Sequence, residues 1–104
     1  MLKNINGDTS MLQVNEYFDG NVKSIALTNN EGPLTVGVMD VGEYNFSTTK
    51  DEEMTVVSGS LQVQLPGAPA LRTFNKGQSF NVPANSSFQV KVEEQSAYLC
   101  RYMD

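Results

Sequence analysis

The chain has 104 residues, with twelve acidic and seven basic side chains and a formal net charge of −5; that length holds one hydrophobic core but not two. The acidic balance and the scatter of the basic residues argue against nucleic acid as a partner, whereas a small anion needs only one or two well-placed cations. Histidine is absent and cysteine occurs once, at Cys100, which removes the commonest general base, the commonest transition-metal ligand and any intrachain disulfide.

A reducing, cytoplasmic setting is expected from the single thiol, and a membrane partner is not expected, because no run approaches the ~20 apolar residues that a spanning helix requires. Residues 1–10 are polar and read as an N-terminal extension to a domain over 11–104. Beyond them, short runs of β-branched and aromatic residues predict strands at Val22 to Leu27, Leu34 to Met39, Tyr44 to Thr48 and Met54 to Val57. Two-residue alternation is strict at Leu61-Gln-Val-Gln-Leu65, and strands follow at Ser79 to Val82, at the alternating Phe88-Gln-Val-Lys-Val92, and at Ala97 to Tyr102. Turn clusters separate them at Asn29 to Pro33, Pro66 to Pro69, Asn75 to Gly77 and Pro83 to Asn85. No helical periodicity competes, so the pattern predicts an all-β sandwich or barrel of about eight strands.

The stretch from Gly42 to Gly59 resembles the first motif of the cupins, in which a glycine leads through two histidines to a glutamate and a second glycine. Glu52 keeps that motif's distance to Gly59, but Thr48 and Lys50 stand in place of the histidines, and Lys50 lies closer to Glu52 than the cupin pattern has it. Gly77-Gln-Ser-Phe-Asn-Val-Pro83 resembles the second motif, with Phe88 at its histidine position. A cupin-type barrel (double-stranded β-helix or jelly roll) without its metal ligands is the expectation.

A closer resemblance covers the chain from Met11 onward. Met-Leu-Gln-x-Asn-Glu-Tyr-Phe at 11 to 18, Val-Lys-Ser-Ile at 22 to 25, Val-Gly-Val-Met at 36 to 39, Gly-Glu-Tyr at 42 to 44, Phe-Ser-Thr at 46 to 48, Glu-Glu-Met-Thr-Val at 52 to 56, Phe-Asn-Val-Pro at 80 to 83 and the segment from Ser96 to Tyr102 resemble the small cupins called pyrimidine/purine nucleoside phosphorylases. The resemblance implies phosphorolysis of several nucleosides to free base and pentose 1-phosphate by a homodimer, with inorganic phosphate as co-substrate and no bound metal or other cofactor.

Phosphorolysis needs a cradle for phosphate, polar contacts to the ribose and help for the departing base. Among the cations, Lys23 and Arg101 fall in segments close to the family. Arg101 is the first candidate for phosphate, because a guanidinium fork binds two oxyanion oxygens; the plain alternative is a surface ion pair. Lys23 is the second candidate, against an outward, solvated position. Strand parity sends Tyr44, Phe46 and Thr48 inward together, as pocket lining or as core. Glu52 is a candidate for the ribose hydroxyls or for proton donation to the base, or else a carboxylate paired with Lys50. Phe88 either fills the vacated metal site or stacks on a ligand. Tyr98 is a further candidate, on the strand face opposite Arg101; parity does not tell which of those faces is inside. Cys100 lacks a base to activate it and reads as a buried structural thiol.

Two other functions compete. A non-catalytic cupin that binds a small molecule would have the same aromatic pocket, and a metal-dependent isomerase or dioxygenase would have to rely on carboxylates and a lone thiol.

Overall fold

The computed structural model describes residues 12–103, so the expected extension at 1–10 lies outside the described residues. The described residues form ten antiparallel strands: β1 Val14–Tyr17, β2 Val22–Asn29, β3 Gly32–Met39, β4 Gly42–Ser47, β5 Asp51–Ser58, β6 Ser60–Gln64, β7 Arg72–Asn75, β8 Ser79–Val82, β9 Ser87–Val92 and β10 Ser96–Met103. They build a six-stranded sheet in the order β1-β2-β3-β10-β5-β8 and a four-stranded sheet in the order β4-β9-β6-β7. No helix among the described residues is long and apolar enough to cross a membrane.

The eight strands expected from periodicity all form, and two more appear. β1 and β7 escape pattern reading for the same reason: each is a four-residue edge strand that buries little, with only Phe74 buried in β7 and no residue buried in β1. Short edge strands expose both faces, so neither selects an apolar alternation.

One core lies between the sheets. Leu61 and Val63 of β6 and Phe88, Val90 and Val92 of β9 alternate inward from the small sheet, and meet Met54 and Val56 of β5, Phe80 and Val82 of β8, and Tyr98 and Cys100 of β10. The β2–β3 hairpin turns through Asn30 and Glu31, with Gly32 at φ 98° and the Asn29 side chain accepting from the Glu31 N–H at 2.8 Å. A register shift between Ala97 and Tyr98, where β10 pairs with β5, sets Tyr98 opposite Val56. From there, Tyr98, Cys100 and Tyr102 project to the interior and Leu99 and Arg101 to the outer face.

Candidate active site

A cavity of about 120 Å³ opens between the sheets. Its small-sheet side is aromatic: Phe46 of β4 and Phe88 of β9, directly paired across the strands, stack with centroids 5.5 Å apart and planes at 24°. Met39 of β3 and Met54 of β5 add apolar surface from the six-stranded sheet. The six-stranded sheet also brings the polar groups, Glu52 on β5, Ser24 on β2, Tyr17 on β1 and the Tyr98, Cys100 and Tyr102 side chains of β10, while Ser47 adds a hydroxyl from the small-sheet side. A ligand with a flat, weakly polar half and a hydroxyl-rich half matches this division.

The polar wall is internally connected. The Cys100 thiol donates to Glu52 Oε1 across 3.5 Å, and the Tyr102 hydroxyl shares a hydrogen bond with Thr35 Oγ1 at 3.1 Å. Burial raises the Glu52 carboxyl above the usual carboxylate range, partly offset by the thiol that donates to it. Burial and the neighbouring Glu52 charge push the Cys100 thiol up to about 12, and burial likewise pushes Tyr98 up to about 12. Cys100 is therefore a neutral thiol at ordinary pH and no nucleophile. Of these three groups, Glu52 is the only carboxyl, and burial moves it upward from the ordinary carboxylate value.

Tyr98 is seated by a neighbour's missing side chain. It lies opposite Gly37 in the β3–β10 ladder, and a Cβ at that position would stand 2.5 Å from the phenol ring. Glycine at 37 is thus a steric requirement of the pocket wall.

Four of the eight expected site residues line the cavity: Glu52, Phe46, Phe88 and Tyr98. Arg101 does not. It projects from the outer face of β10, where Nη1 donates to Glu53 Oε1 at 3.3 Å, with Glu53 directly opposite on β5. The alternative of an ion pair is the arrangement formed, and Arg101 and Tyr98 resolve onto opposite faces. Lys23 is also on the outer face, 59% exposed and 4.0 Å from Glu16 on the neighbouring strand. Tyr44 and Thr48 point inward as parity requires but are committed elsewhere. The Tyr44 hydroxyl donates to the Asp40 carbonyl at 2.6 Å. Thr48 Oγ1 donates to the Pro83 carbonyl at 2.7 Å and accepts from the Ser86 N–H at 3.0 Å, pinning the β8–β9 turn.

Phe88, at the histidine position of the second cupin motif, is buried between Phe46 and Phe80 and also borders the cavity. It fills space and presents a face. Among the described residues no group of three or more His, Cys, Asp or Glu side chains could hold a metal ion. Sequence reasoning missed Tyr17, Ser24 and Ser47; each sits in or beside a recognised segment, but only the packing of the two sheets turns it to the cavity.

Two facing antiparallel sheets with a cleft between them give the chain a cupin-type fold. An RmlC-like cupin from Shewanella frigidimarina superposes with a TM-score of 0.68 at 20% identity, covering 89% of this chain and 84% of its own. Within that class, the profile of the pyrimidine/purine nucleoside phosphorylase family matches residues 12–102, and the chain belongs to this family. A Pseudomonas putida protein named pyrimidine/purine nucleoside phosphorylase is 61% identical over 94 residues, covering 90% of this chain and all of the relative. A Psychromonas ingrahamii protein of the same name is 61% identical over 88 residues, which is 85% of this chain and 94% of the relative. Among solved structures, a Vibrio parahaemolyticus protein of unknown function superposes with a TM-score of 0.86 at 43% identity, covering 89% of this chain and 99% of that one.

Proposed function

We propose that this protein cleaves purine and pyrimidine nucleosides with inorganic phosphate, releasing the free base and a (deoxy)ribose 1-phosphate. The observation that carries the proposal is the two-sided cavity, with the Phe46–Phe88 stack facing hydroxyls and the half-buried Glu52. Stacking accepts any base, whereas hydrogen bonds to base edges discriminate; the Phe46–Phe88 face therefore suits a broad base range. The names of the relatives agree with this chemistry.

In the reaction, a phosphate oxygen bonds to the anomeric carbon as the bond from that carbon to the base nitrogen breaks. The base must gain a proton, and hydrogen phosphate loses one. Glu52 is suited to carry that proton, giving it to the base and recovering it from phosphate, because burial lifts its pKa toward the working pH. A protonated Glu52 also removes the repulsion that a carboxylate would offer to phosphate. This matters because no lysine or arginine among the described residues lines the cavity. The phosphate contacts available there are the hydroxyls of Ser24, Ser47, Tyr17 and Tyr98. No cofactor besides phosphate enters this scheme.

The protein acts as a homodimer in the cytoplasm on this reading. Ile25, Val36, Val38 and Val57, each more than 40% exposed on the outer face of the six-stranded sheet, give a second copy an apolar surface to cover. The competing reading, a cupin that binds a metabolite without turnover, predicts saturable nucleoside binding with no release of base. Base release from adenosine, guanosine, uridine and thymidine, followed by chromatography with and without phosphate, separates the two: release that requires phosphate supports the enzyme, and binding without release supports the binding module.

A further inference from the structure

We infer that Tyr17 is a substrate-contacting residue that closes the outside of the cavity, and that Phe18 is the latch holding it there; this rests on the nucleoside reading above. Tyr17 is the only cavity-lining residue contributed by β1, the others sitting on strands of the packed core. It is 45% exposed, so it stands between the cavity and solvent. Among the described residues β1 is a four-residue edge strand paired only with β2 and has no buried residue, which leaves β1 little of its own to hold it in place.

What holds it is the aromatic tip. Phe18, Asp19 and Gly20 follow one another at φ 54°, 58° and 86°, a left-handed run that non-glycine residues rarely adopt. This turn carries the Phe18 ring across to the other sheet, where it lies 5.0 Å from Tyr44 and edge-on to Phe46 at 5.4 Å. The backbone supports the crossing, since the Asp40 N–H donates to the Asn21 carbonyl at 2.8 Å. Phe46 is therefore shared: one neighbour is the latch, and the other is the Phe88 ring of the cavity wall.

The cavity's size gives the arrangement a purpose. At about 120 Å³ it is well below the roughly 300–1,000 Å³ usual for a small-molecule site. A nucleoside enters fully only if one wall yields, and β1 with the turn that follows it is the wall outside the core, β2 being held by its eight pairings to β3 and by buried Val22. Once the ligand is seated, the Tyr17 ring returns over it and adds a second aromatic face opposite Phe46 and Phe88.

The test uses the full chain with adenosine and uridine, measuring kinetics, calorimetric binding, and hydrogen exchange of the hairpin amides. Tyr17→Ala is expected to raise KM and Kd for both nucleosides by about tenfold or more, the scale of a lost ring–base stack, with kcat changed less. Tyr17→Phe keeps the ring and is expected to hold nucleoside KM and Kd near wild type while raising the KM for phosphate, and Phe18→Ala is expected to raise the nucleoside KM in the same direction as Tyr17→Ala. In the wild type, the amides of residues 17–21 gain protection when nucleoside binds. A folded Tyr17→Ala with wild-type KM and Kd overturns the inference while leaving the phosphorylase reading intact, as does unchanged exchange in the hairpin. A wild type that neither binds nor cleaves nucleosides overturns both.

Discussion

The thiol of Cys100 donates to Oε1 of Glu52 at 3.5 Å, from the adjacent strand and below the surface of the pocket. This contact gives Glu52 one fixed partner on its inner side and leaves its other oxygen for a ligand.

Glu52→Gln keeps the size and the acceptor for Cys100 but cannot carry a proton. Turnover is expected to fall by about 10²–10⁴-fold with nucleoside binding largely kept, as measured by kcat and calorimetric Kd. If kcat is unchanged, Glu52 is not the proton carrier.

The raised pKa of Glu52 has a stability consequence of definite sign. The folded state holds the Glu52 proton more tightly than the unfolded chain, so this group's contribution is fully present below the unfolded pKa and is lost as pH rises through the folded one. Glu52→Gln escapes that loss. Thermal melting is expected to show the variant more stable than wild type at pH 7, the gap closing as pH falls toward 4.

Arg101→Ala is expected to leave phosphate-dependent turnover near wild type and to cost about 0–1 kcal/mol, as for an exposed ion pair, because Arg101 faces Glu53 and not the cavity. Urea unfolding and the KM for phosphate check it. A large rise in the KM for phosphate would return Arg101 to the site.

Thr48→Val removes the hydroxyl that accepts from Ser86 N–H and donates to the Pro83 carbonyl. A cost of about 1–3 kcal/mol is expected for the unpaired groups, recovered in Thr48→Ser, and the folded fraction retains full activity. Loss of activity without loss of stability would make Thr48 a ligand contact after all.

Gly37→Ala places a methyl group against the Tyr98 ring and is expected to cost about 1–3 kcal/mol while lowering nucleoside affinity. Urea titration and calorimetry measure the two effects.

Much of the fold was legible because β6 and β9 each press one face on the core, which writes alternation into Leu61-Gln-Val-Gln-Leu65 and Phe88-Gln-Val-Lys-Val92. The site was legible only in part. Parity correctly turns Tyr44, Phe46 and Thr48 inward, but an inward side chain reaches the cavity only where no nearer group claims it. Asp40 claims Tyr44, and the Pro83–Ser86 turn claims Thr48. On β10 the outer face carries Ala97 and Leu99, as apolar as the inner one, so no polarity contrast told Arg101 from Tyr98. Tyr17 was hidden because its strand has no buried face to announce it.

The most direct test of the central claim follows phosphorus. With adenosine or uridine and inorganic phosphate, ³¹P NMR is predicted to show the phosphate resonance converted to a pentose 1-phosphate signal in step with free base, and the conversion to slow by about 10²–10⁴-fold in Glu52→Gln. Free base appearing without any sugar phosphate, or no conversion at all with wild-type protein, would contradict the account.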